Sequence, residues 1–485
     1  MARENALSTT QRAAVWSGLD VLVRQGSQFV FGVVLARLLA PEAFGLLAIL
    51  TLFTSLANVL VDGGLGTALI QRERLDEADV STAFWANLMI ATAMAALMIA
   101  AAPAIGEFYR QPELPPLIWA MAANTWLTAF ITVQRAMLAR AMDFRRQTLA
   151  AVGAAITAGT IAVMLAAYGA GVWALATQIL ASTGLNAVLL WWMHPWRPRR
   201  TFSQTRLRQM LNFGGFVLLT SLVDAFASRF YAVLIGRLAS TRELGYFNQA
   251  ATVRDFPQLA LGNIFSRLAL PIYARNAHDR EQLRVCMHDA QITAMALNLP
   301  AMFGLLAMAE PLVHVLLGPK WLPAVPVLQV LCGAGALWPV HASNLNLLLA
   351  SGRSRWALRV ELVKKSLLLL VLLIASHWGM MAIAWGMLLN SLLSLGLNSM
   401  FSGRLAGYPM LKQLYDLLPY AMLAALMAVA VATLQGKLVG LSPLTRLGIS
   451  VITGMVIYAS GSALLGLHAY RRIRHLVESA MGRDP

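Results

Sequence analysis

Charge is what this 485-residue sequence has least of: Asp, Glu, Lys and Arg together make up 12% of it, about half the share of a soluble globular domain. A string of water-soluble domains is thereby excluded. Cysteine is nearly absent too, and Cys286 and Cys332 lack the paired spacing of a disulfide framework. No loop holds a metal-ligand cluster, a nucleophile elbow, a phosphate-cradling glycine loop or a paired-carboxylate site. No metal, no cofactor and no enzyme activity are therefore expected. The amino-terminal 14 residues are polar, and the apolar run behind them is too long for a cleavable signal.

What remains is apolar. Hydrophobic residues make up 58% of the chain, in about fourteen runs, the first near 15–38 and the last near 445–467. Each is close to the roughly 20 residues that cross a hydrocarbon core. The runs are continuous rather than alternating, so they predict helices and not barrel strands. The expected fold is an all-α polytopic membrane protein.

Lys and Arg orient it. With the amino terminus inside, 28 of the 38 basic residues fall on inner segments and seven on outer joints, while Arg24, Arg229 and Arg254 lie within helices. That asymmetry predicts both termini in the cytoplasm. The formal net charge of +16 is spread over every inner loop without a basic and aromatic binding surface, so it fits anionic membrane lipids and not nucleic acid.

The chain also repeats itself. At an offset of 200, VLARLLAPEAFGLL from Val34 aligns with LIGRLASTRELGYF from Leu234, pairing Arg37 with Arg237, Leu38 with Leu238 and Gly45 with Gly245. Further on, YGAGVWALA from Tyr168 meets HWGMMAIAW from His377. Two six-helix bundles in parallel repeat are expected, at 1–197 and 211–405. A basic cytoplasmic linker joins them at 198–210, and two further helices and a basic tail occupy 406–485. Parallel repeats of this kind place a substrate site at their interface.

Several strings resemble a known family. SQFVFGVVLARLLAPEAFGLLAILTLF from Ser27, DGGLGTALIQRE from Asp62, FYRQPEL from Phe108, VQRAMLARAMDFRR from Val133, LGYFNQA from Leu244 and AEPLVHVLLGPKWLPAVPVLQVLC from Ala309 resemble the polysaccharide transporter flippases of the Wzx type, in the MOP superfamily. The resemblance implies a two-bundle fold like that of the MATE transporters. It also implies translocation of undecaprenyl-pyrophosphate-linked oligosaccharides from the cytoplasmic to the periplasmic face of the bacterial inner membrane by alternating access. The product feeds exopolysaccharide, capsule or O-antigen assembly. A polysaccharide polymerase and export machinery are candidate partners beside the lipid-linked substrate, and a monomer suffices. A multidrug exporter of the same superfamily and a non-catalytic scaffold of an assembly complex are the competing readings.

Such a substrate carries a pyrophosphate, which calls for cations inside the membrane. Arg24, Arg229 and Arg254 are the candidates, because a guanidinium binds phosphate oxygens in a fork. Asp20 stands one turn from Arg24, Asp224 lies near Arg229, and Asp255 adjoins Arg254. These acids are either internal partners that fix helix packing or ion-coupling groups. Asn58, Gln134, Gln178, His341 and Asn344, all within apolar runs, are candidates for a polar cavity, with interhelical hydrogen bonding as the alternative. The stretch 267–288, rich in Arg, is expected to lie along the inner membrane surface.

Overall fold

The computed structural model describes residues 23, 25–72, 75–468 and 470. Asp20 and Arg24 lie outside the described residues. Every regular element among them is helical, and the chain divides into two compact units, Met1–Gly245 and Tyr246–Pro485.

The first unit holds α1 (25–38), α2 (Pro41–Asp62), α3 (Leu65–Gln71), α4 (Glu77–Tyr109), α5 (Leu114–Arg140), α6 (Phe144–Ala167), α7 (Val172–Met193) and α8 (Gln204–Leu238). Their starts are written locally. Pro41 opens α2 at a position where no backbone N–H is needed. Asp76 and Asp79 form a capping box on α4, and Asp143 and Ser203 accept backbone N–H groups at the starts of α6 and α8. Gly63 and Gly64, both with positive φ, break one apolar run into α2 and α3.

The extended segment 194–203 is sewn to this bundle. Trp85 Nε1 donates to the carbonyl of Arg199 at 2.8 Å, and the N–H of Ser203 donates to Thr82 Oγ1 at 3.2 Å. Phe84 meets Trp85, Phe130, Trp191 and Trp196 edge-on at ring-centroid distances of 5.4 to 6.1 Å, each contact adding roughly 0.5–1.5 kcal/mol beyond burial. Arg72 and Arg206 both reach the buried carboxylate of Asp79, at 2.6 and 2.9 Å. Burial, then the neighbouring guanidinium groups of Arg146 and Arg197, hold His194 below the usual imidazole range. Its ring is therefore neutral at pH 7, and an Nδ1–H tautomer donates to Gln134 Oε1 at 2.6 Å.

The two glycines paired by the duplication meet here. A Cβ on Gly45 would stand 1.8 Å from the carbonyl oxygen of Thr241, and one on Gly245 would stand 2.0 Å from that of Pro41. Beside them Arg242 Nε lies 3.3 Å from Glu42 Oε1. The first turns of α2 and of α9 (Thr241–Arg275) thus cross in reciprocal backbone contact, which only a side chain of hydrogen permits.

The second unit contains the rest of α9, then α10 (Arg280–Ala307), α11 (Ala309–Leu316), a 3-10 turn (Pro319–Ala324), α12 (Val325–Ala336), α13 (Trp338–Ala350), α14 (Ser354–Ala375), α15 (Gly379–Ala406), α16 (Met410–Lys437) and α17 (Pro443–Leu464). Pro339 supplies no N–H to the carbonyl of Gly335, so the helix breaks between α12 and α13. Gln258 at 2.7 Å and Asn298 at 3.2 Å donate to that carbonyl instead. The helices after the repeat are tied in by Gln413, whose Oε1 accepts from Asn344 at 3.1 Å and Gln291 at 3.3 Å. Its Nε2 donates to Ser402 Oγ at 2.8 Å.

Eleven helical stretches among the described residues are long and apolar enough to cross a membrane. The longest, Ser354–Ala406, is two helices, because a 3-10 turn and Gly379 at φ 84° separate α14 from α15. The surface stretch expected at 267–288 has a different structure. α9 continues to Arg275, three turn residues follow, and Asp279 caps the start of α10, so the stretch is the junction of two long helices.

Replacing Gly45 or Gly245 by Ala is expected to destabilise the protein by at least the about 1–3 kcal/mol of an overpacked core, because the obstacle is backbone. Gly436→Ala, with open space around it, should not. Thermal unfolding of the three purified variants in detergent checks this.

Candidate functional site

Inside the first unit six helices surround a cavity of about 510 Å³, within the range of small-molecule sites. The spacing of its polar residues follows helical faces. Asn58 and Asp62 stand four apart on α2, while Thr128, Thr132 and Arg135 share one face of α5. Gln147 of α6 faces in one turn before Ala151, whose small side chain leaves room, and Ser182, Thr183 and Asn186 come from α7. Gln28 of α1 completes the wall.

Three side-chain oxygens in this lining are buried without a hydrogen-bond partner in the described structure: Asn58 Oδ1, Gln147 Oε1 and Asn186 Oδ1. Each such atom costs about 1–3 kcal/mol when left unmet. Together with Thr128, Thr132, Ser182 and Thr183, these residues give the cavity a polar wall. Asp62 accepts the backbone N–H of Gly64, and its Oδ1 packs so close to Gly66 that an added Cβ there would come within 2.9 Å. A smaller cavity of about 240 Å³ also borders Asn58 and Asp62 and extends to Leu218 and Ser221 of α8, so these two residues stand between the two spaces.

Of the polar candidates read from the sequence, Asn58 lines the cavity. Gln134 is taken by His194 and by the carbonyl of Trp196 at 3.3 Å. Gln178 is half-buried on α7. His341 is held at both ring nitrogens, by Ser391 at 3.2 Å and Asn398 at 2.9 Å, and Asn344 serves the Gln413 junction. Arg229 Nη1 donates to Thr51 Oγ1 at 3.2 Å. Asp224 is exposed on α8, and Arg254 donates to the adjacent Asp255 at 2.8 Å. Asp62, Arg135 and Gln147 were not singled out as site residues from the sequence, although the four-residue step from Asn58 to Asp62 inside an apolar run was a visible signal.

The sequence profile of the family described as polysaccharide biosynthesis protein matches residues 34–326, more than half of the chain. The chain belongs to this family. It is 26% identical over 411 residues to the lipopolysaccharide biosynthesis protein WzxC of Escherichia coli, covering 82% of this chain and 80% of that one. It is 29% identical over 333 residues to the succinoglycan biosynthesis transport protein ExoT of Rhizobium meliloti, covering 68% and 67%. Among solved structures, the lipid II flippase MurJ in an inward closed conformation superposes with a TM-score of 0.72 at 12% identity, over 95% of this chain and 99% of that one. A multidrug resistance MATE transporter of the MOP superfamily superposes at 0.65 and 16% identity, over 81% and 99%. At these identities the structures establish the fold, which is the one these two transporters share.

For this family member the cavity makes a prediction about stability. Asn186→Leu removes an unmet oxygen and is expected to leave the protein equally stable or more stable, by up to about 1 kcal/mol. Differential scanning fluorimetry in detergent measures it.

Proposed function

We propose that this protein is a flippase that moves an undecaprenyl-pyrophosphate-linked oligosaccharide from the cytoplasmic to the outer face of a bacterial inner membrane, for polysaccharide assembly. The observation that carries this reading is the polar cavity among apolar membrane helices. A saccharide offers hydroxyl groups on all sides, and Asn58, Thr128, Thr132, Ser182, Thr183 and Asn186 line this cavity with side chains that can hydrogen-bond them. Relatives named for lipopolysaccharide biosynthesis and succinoglycan transport support the substrate class.

A glycan headgroup cannot enter hydrocarbon unaided, since each polar group stripped of water without a partner costs a few kcal/mol. Residues of the cavity take the place of that water. Arg135 supplies a positive charge on its wall, and Arg229, with a donor already at Thr51, supplies another on α8. Arg24, Arg229 and Arg254 remain the proposed pyrophosphate contacts, and Asp20, Asp224 and Asp255 the proposed coupling groups. Asp62 joins the latter because it borders both cavities. The two repeats, 1–197 and 211–405, are proposed to give alternating access, with both termini cytoplasmic and polymerase and export machinery acting on the product.

The test is flipping of a labelled undecaprenyl-pyrophosphate oligosaccharide in proteoliposomes. Arg135→Ala and Arg229→Ala should each slow it tenfold or more, as loss of a charged hydrogen bond worth about 1.5–3 kcal/mol requires. Arg229→Lys, lacking the fork, should recover it only in part. Wild-type rates in both Ala variants would refute the proposed roles of these arginines, and no flipping by the wild type would refute the function.

A further inference from the structure

A second, chemically opposite space lies in the same unit. A groove of about 350 Å³ runs between α2, α4 and α8, and its accessible lining is wholly apolar. Phe53 and Leu56 form one wall, Ala104 and Phe108 another, Phe226 and Val233 the third. Phe108 is 48% and Phe226 38% exposed, although both are large aromatics on helices otherwise packed together. All three helices contribute stretches apolar enough to span a membrane.

The groove carries cations at its edge. The guanidinium carbon of Arg237 sits 5.4 Å from the centre of the Phe108 ring, at the end of α8 and beside the end of α4. Arg229 donates to Thr51, next to Leu52 of the groove wall. An apolar slot that ends at a guanidinium complements a hydrocarbon chain that ends in a phosphate. One slot between three helices suits a lipid with a single chain, as a polyprenyl lipid has, better than a two-chain phospholipid. On the orientation that the Lys and Arg distribution predicts, the ends of α4 and α8 face outward, so the slot lies in the outer half of the bilayer.

We propose that this groove holds the polyprenyl chain of the translocated lipid next to its phosphate, with Arg237 on the phosphate oxygens. The proposal rests on the flippase reading above. The polar headgroup and the apolar chain then have separate places in one unit, and the chain's place lies on the side where the product leaves.

The test uses the full-length protein in proteoliposomes with a polyprenyl pyrophosphate oligosaccharide that carries a photoreactive diazirine in its first isoprene units. Labelled peptides are mapped by mass spectrometry, and flipping is measured in the same vesicles. Labelling is expected to concentrate on the groove segments of α2, α4 and α8. Ala104→Trp, which fills the slot from an exposed position, should lower it about tenfold, the equivalent of losing about two buried methylenes. Ile99→Trp, exposed on another side of α4, should leave labelling unchanged, and Arg237→Gln should lower it while the variant keeps its unfolding temperature. Labelling spread evenly over lipid-facing residues, or displaced by phosphatidylglycerol as readily as by unlabelled polyprenyl phosphate, would overturn the proposal. Flipping without groove labelling sinks the groove and spares the flippase; groove labelling without flipping does the reverse.

Discussion

Inside a bilayer a backbone carbonyl or side-chain amide has no water to turn to, so each must find its partner within the protein. Nearly every irregular feature of this chain follows from that constraint. Pro339 cannot serve the carbonyl of Gly335, and two side chains from other helices, Gln258 and Asn298, converge on it. Arg140 reaches across to the carbonyls of Leu69, Ile70 and Arg72 at the end of α3. Gln413 uses both ends of its amide to fasten α16 to the repeat. Each of these side chains ties one helix to another.

The cavity of the first unit gathers three of the buried, unmet oxygens among the described residues, on Asn58, Gln147 and Asn186. Leaving acceptors open costs stability, and a binding site is where such a cost has a use. The apolar groove is complementary, since amphiphilic cargo needs a polar place for its head and a dry one for its chain.

Duplication adds a second constraint. The sequence pairs Gly45 with Gly245, and the structure shows why a residue without a side chain is needed at both positions, because each lies against the backbone of the other's helix. Glu42 and Arg242, paired by the same offset, add opposite charges to that crossing. Residues paired by the offset of 200 therefore meet at this one crossing.

The helical, membrane-embedded class was legible in the sequence because lipid demands long continuous apolar runs, which leave a one-dimensional trace. The family was legible because helix-end strings such as FYRQPEL are set by turns and caps, not by hydropathy. The starts of α2, α6 and α10 are set locally, by Pro41 in the first turn and by Asp143 and Asp279 at the cap. Which polar side chains are spare was not legible. Gln134 and His341 look like Asn58 in sequence, and only the packing of helices far apart in the chain gives the first two their partners and sets the third on a cavity wall. Arg135 and Asp62 reach the cavity for the same reason: hydrophobicity is a property of each residue, whereas a place on a cavity wall is a property of everything around it.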